Sequence, residues 1–101
     1  MIVIKRNKKW VARFSRFKIF IDGHFYKKIK AGEEIEIDLP KGLHEIQVQY
    51  GKNKFFMASN SIRFREDGST KTFLCWMDMK QKHRITYSEI KSALWLQEIK
   101  D

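Results

Sequence analysis

Apolar and polar residues alternate along most of this chain, and turn signals interrupt the alternation every eight to twelve positions. That pattern constrains the fold more than any other feature, because successive side chains of a strand point to opposite faces. Phe17, Ile19 and Ile21 alternate with Lys18 and Asp22, with Phe20 as the apolar exception on the polar face. Ile35, Ile37 and Leu39 alternate with Glu34, Glu36 and Asp38, and His44, Ile46, Val48 and Tyr50 with Glu45, Gln47 and Gln49. Ile62 and Phe64 point inward if Arg63 and Arg65 point outward. Each run is a half-buried strand by this rule.

The punctuation has its own chemistry. Asp22-Gly23 supplies the positive φ angles of a tight hairpin turn, since Gly lacks Cβ and Asp tolerates the left-handed region. Pro40-Lys41-Gly42 makes another turn, with Pro presetting φ. Ile2 to Arg6 opens the chain as a short strand, and Trp10 to Phe14 is a strand or a loop over the core. If Lys30-Ala31-Gly32 closes a hairpin between His24–Ile29 and Glu33–Leu39, with Gly32 left-handed, then Phe25 faces Ile37 and Lys28 faces Glu34. Phe55 to Glu66 has the length of one bulged strand or two short ones.

Residues 70 to 78 are apolar on both faces, with Phe73, Cys75 and Met77 on one and Leu74 and Trp76 on the other. Such a strand needs a cover on its outer face. Thr86 with Glu89 resembles a capping box, and Ile90, Ala93, Leu94 and the Trp95-Leu96 pair form a stripe at helical spacing, so an amphipathic helix over 87–99 is the expectation. The run Leu94-Trp95-Leu96 also fits a final strand. The expected architecture is mainly β. It is an antiparallel β-sandwich of about seven strands over 1–84, with one C-terminal helix over 85–101 packed on an outer face, in a single domain.

Two motifs carry a family resemblance. Phe20-Ile21-Asp22-Gly23 is followed by the run from Lys28 through Gly32, Pro40, Gly42 and His44 to Ile46, and Thr70 to Cys75 follows as a later strand. This order resembles the PEGA-like group of small bacterial β-sandwich domains, most closely over residues 16–50. The resemblance implies a sandwich of about seven strands acting as an accessory or binding module, with Asp22, Gly23, Gly32, Pro40, Gly42 and His44 as its structural turn motif. The chain departs from that pattern at Phe55 to Ser59, where related domains commonly place Trp and Ser.

Charge narrows the partners. The chain of 101 residues has a formal charge of +9, and residues 1–30 alone carry ten basic side chains against Asp22. Residues 31–50 are acidic, with Lys41 against Glu33, Glu34, Glu36, Asp38 and Glu45. Lys8, Lys9, Trp10, Arg13, Phe14, Arg16 and Lys18 interleave aromatics with cations, and Arg63 and Arg65 share a strand face, as a nucleic-acid groove requires. An anionic membrane surface is a weaker candidate, because no basic amphipathic helix or lipidation motif accompanies the charge.

Chemistry for catalysis is sparse. Cys75, the single cysteine, lies mid-strand among apolar neighbours that raise a thiol pKa, and no nucleophile elbow, phosphate loop or dinucleotide fingerprint occurs. His24, His44 and His83 lack the spacing of a metal site, and the acidic run lacks a calcium-wrapping loop. No cofactor is expected. One cysteine fits a reducing, cytoplasmic setting, the N-terminus reads as mature sequence, and no stretch nears the ~20 apolar residues of a membrane helix. The expectation is a non-enzymatic interaction or accessory module that binds a protein partner or self-associates, with nucleic-acid binding as the alternative.

Overall fold

A computed structural model describes residues 1–7, 16–51, 56–77 and 94–100. Within them the chain forms nine strands: β1 (Ile2–Arg6), β2 (Phe17–Ile21), β3 (His24–Ile29), β4 (Glu34–Ile37), β5 (Gly42–Tyr50), β6 (Met57–Ala58), β7 (Ile62–Glu66), β8 (Lys71–Met77) and β9 (Leu94–Ile99). Sheet A has the order β4-β1-β8-β9, and sheet B has β3-β2-β5, with β6 and β7 both pairing β5. Phe55–Glu66 thus holds two short strands, one of the two forms its length allowed.

The alternation predicts which side chains go inward. Ile2, Ile4, Phe73 and Leu96 of sheet A and Phe17, Ile19, Ile46 and Val48 of sheet B meet in one shared core, each no more than 3% exposed. Removing each such side chain from water contributes roughly 1.5–3 kcal/mol. Asp22 and Gly23 hold φ at 53° and 81°, and Ile21 pairs with His24, so β2 and β3 are joined by the expected two-residue turn.

Three expectations are corrected. The helix over 87–99 gives way at residues 94–99 to strand β9, antiparallel to β8, while 78–93 lie outside the described residues, as does Trp10 to Phe14. Leu94 and Leu96 are buried while Trp95 and Gln97 are exposed, a period of two that a helix face does not produce. β9 therefore lies beside β8, and Trp95 stands directly opposite Trp76 on the outer face.

The second correction concerns the acidic stripe. β4 pairs with β1 and not with β3, so Ile37 faces Ile2 and Glu34 faces Lys5, in place of Phe25 and Lys28. The turn after β3 carries the chain from one sheet to the other, because Gly32 N–H donates to Arg6 O at 2.9 Å and anchors the turn on β1. Third, the fold is not wholly antiparallel: β1 and β8 run parallel, with Ile4 opposite Phe73.

Asn60, between β6 and β7, joins the two sheets along one flank. Its Nδ2 donates to Leu96 O at 2.9 Å and its Oδ1 accepts from Leu96 N–H at 3.0 Å. A side-chain amide here does what a neighbouring strand would do, occupying the outward groups of β9, an edge strand among the described residues. We expect Asn60→Ala to lower unfolding free energy in urea by about 1–3 kcal/mol, since both Leu96 groups lose their partner. Asn60→Asp should lie between, keeping the acceptor and losing the donor. A change within ~0.5 kcal/mol for Asn60→Ala, as at an ordinary surface position, would show that the clip holds nothing.

Candidate functional site

The turn motif converges on one histidine. Asp22 ends the β2–β3 hairpin, Pro40 precedes β5, and His44 lies within β5, which pairs with β2. His44 Nδ1 donates to Asp22 Oδ2 at 2.7 Å and Nε2 donates to Pro40 O at 2.7 Å. Asp22 Oδ1 accepts from Glu45 N–H at 2.8 Å, and Glu45 O accepts from Asp22 N–H at 2.9 Å. A carboxylate and a carbonyl only accept, so the doubly protonated imidazolium is the form that serves both nitrogens. The Asp22 bond, followed by that to Pro40, accordingly raises the His44 pKa above its usual value. The hydrogen bond from His44, followed by that from Glu45 N–H, lowers the pKa of Asp22.

This clamp borders an open groove of about 210 Å³ lined by Asp22, Leu43, His44, Glu45 and Arg63. With both ring nitrogens donating, His44 has no lone pair for a metal or for proton abstraction. The groove's chemistry is that of a structural clamp. Gly23 completes the hairpin and Gly42 opens β5, whereas Gly32 lies apart, against Arg6.

The basic candidates divide. Lys8, Lys9, Trp10 and Arg13 lie outside the described residues. Arg16 is exposed just before β2, and Lys18 is on the outer face of sheet B opposite Lys28. Arg63 and Arg65 are exposed on the same outer face, but on β7, opposite Glu45 and Leu43. From strand spacing and rise, they stand on the order of 15–25 Å from Lys18. Arg63 also meets Glu45 at 3.4 Å. The two groups share a face without forming one compact patch. Cys75 is fully buried opposite Arg6 and Leu96, and burial pushes its thiol pKa up to about 12, so it stays protonated at neutral pH.

Two features were not singled out from the sequence. Arg6 is 3% exposed, its guanidinium lies 3.6 Å from the Phe17 ring centroid, and Nη1 donates to Ile29 O at 3.1 Å. Period two puts it on the face of Ile2 and Ile4, which is the signal that marks it. The second is β3. It pairs with β2 alone among the described strands, and five of its six residues are exposed, with Phe25 at 52% and Tyr26 at 48%. Both faces of a strand at a sheet edge are thus available to a partner.

No family model matches the chain, and neither does a curated protein or a solved structure.

The clamp has a pH signature. His44, its pKa raised, contributes stability that is fully present below about 6.5 and lost as pH rises through its folded value. Asp22, its pKa lowered, contributes above about 3.8 and loses that contribution as pH falls through its folded value. Both act together between these limits. Urea unfolding should therefore show His44→Gln less stable than the parent chain at pH 5.5, by at most ~1 kcal/mol because Asp22 is nearly half exposed to screening solvent, with the gap narrowing at pH 9. A gap that widens toward pH 9 would contradict the imidazolium clamp.

Proposed function

We propose that the chain is a β-sandwich of the PEGA-like kind, serving as a non-enzymatic interaction module that engages an extended protein segment along β3. The observation that carries this reading is the exposure of β3 on both faces at a sheet edge that no other described strand shares. Added strands bind by main-chain hydrogen bonds, while flanking side chains give specificity. Tyr26 and Phe25 offer aromatic anchors, a residue class enriched where interfaces concentrate their binding energy. Lys27 and Lys28 select for acidic segments. The clamp of Asp22, Pro40 and His44 supports the family reading, because it gives the spacing between the Asp-Gly and Pro-x-Gly-x-His elements a physical purpose.

A second reading, nucleic-acid binding, rests on a different observation. On the outer face of sheet B, Lys18 and Lys28 stand near Phe20 and Phe25, whose rings meet edge-on at 5.9 Å. Cations beside rings can track a backbone and stack bases.

Selection of displayed ten-residue peptides on the immobilised protein should enrich acidic, alternating sequences, and Tyr26→Ala should weaken them at least ~10-fold. Absence of enrichment, or equal affinity for Tyr26→Ala, removes β3 as the docking edge. Fluorescence anisotropy with single- and double-stranded oligonucleotides separates the second reading. Binding there should be tightest at low salt, and none at low salt ends it.

A further inference from the structure

The same flank of the molecule carries two edges of opposite charge. Among the described strands β3 and β4 end their sheets on one side, while β9 and the β6–β7 junction, joined by Asn60, close the other. The β3 edge and the turn after it hold Lys27, Lys28 and Lys30. The β4 edge holds Glu34 and Glu36, and Asp38 follows. Of these six, only Glu34 has an ion pair among the described residues, at 3.5 Å to Lys5 with both side chains about half exposed. Lys28 instead faces Lys18, a like-charge pair that destabilises a sheet.

We propose that the occupant of this flank is a second copy of the chain, with β3 of each copy pairing β4 of the other about a two-fold axis parallel to the strands. This rests on the reading of β3 as a docking edge and names its partner. A two-fold along the strand direction exchanges the two sheet levels, so each β3 meets a β4 and both sheets run on into the neighbour. The short turn between β3 and β4 reverses the chain, which makes each new pair antiparallel. Ile29 and Ile35 are both buried. The register that sets them opposite each other also sets Lys28 opposite Glu36 and Lys30 opposite Glu34. Lys28 thereby gains an acidic neighbour to offset Lys18. The contact is isologous, so it closes at two copies.

Sedimentation velocity of the whole chain across protein concentrations, at low and high salt, tests this. The expected result is a species whose mass stops at two chains and whose dissociation strengthens with salt. Lys28→Glu and Glu36→Lys should each weaken the dimer at least ~10-fold, because like charges then face each other twice. The double variant K28E/E36K should dimerise again, and a mixture of the two single variants should form heterodimers. Far-UV circular dichroism identifies a single variant that is unfolded, in which case the double variant decides. A chain that stays monomeric at low salt, masses growing beyond two copies, or single variants that dimerise like the parent each overturn the proposal. Peptide capture by a purely monomeric protein would end self-pairing and leave the docking-edge reading in place. Failure of both would end both.

Discussion

A guanidinium removed from water must find acceptors and a polarisable neighbour, and the position of Arg6 follows from that requirement. Its strand lies in sheet A, its hydrogen bond reaches Ile29 of sheet B, and its cation lies over Phe17 of the same sheet. Burial lowers its pKa, yet an arginine keeps its proton in a protein. The core is therefore fixed around a permanent cation. Its main chain takes part as well, since Arg6 N–H donates to Glu33 O and Arg6 O accepts from Gly32 N–H. One residue thus sets how the sheets meet and where the chain passes between them.

The two flanks are then unlike. On the Asn60 side a side-chain amide occupies the outward groups of β9 at Leu96, so a further strand finds that position filled. On the Arg6 side the anchor holds the connecting turn from inside and leaves β3 and β4 as the end strands of their sheets among the described residues. The broken strand β6–β7 adds to the asymmetry. Ser59 Oγ accepts from Val48 N–H at 2.9 Å and Ser59 N–H donates to Val48 O at 2.8 Å, which keeps β5 paired across the interruption.

Strand positions and inward faces were legible because period two is local, and the Asp22-Gly23 turn was legible because its backbone angles admit few residues. Pairing partners were not. A Gly-containing link between alternating runs has the same local chemistry whether it closes a hairpin or carries the chain to the other sheet. What decides is Gly32 finding Arg6 O, a contact between distant positions. The tail shows the same limit. Leu94 and Leu96 fit either period until β8 offers them an edge to pair with. Asp22, Pro40 and His44 were found as turn residues, but their convergence depends on β2 pairing with β5. Cation clusters on one sheet face are likewise spread by rows that a linear count cannot see.

The parallel pairing of β1 with β8 also bears on the order in which the molecule assembles. Strands β2, β3 and β5 are close in sequence and can zip into the heart of sheet B early. Sheet A is different, because one of its two interior strands, β1, has as a neighbour β8, about seventy residues later in the chain. As the chain emerges from a ribosome, Ile2 and Ile4 have β4 on one side and nothing on the other until Phe73 arrives. Closing so long a loop delays the pairing that completes the core. The apolar residues of β1 therefore wait for their cover, and synthesis, more than the finished fold, is the stage at which they are most open to misassociation.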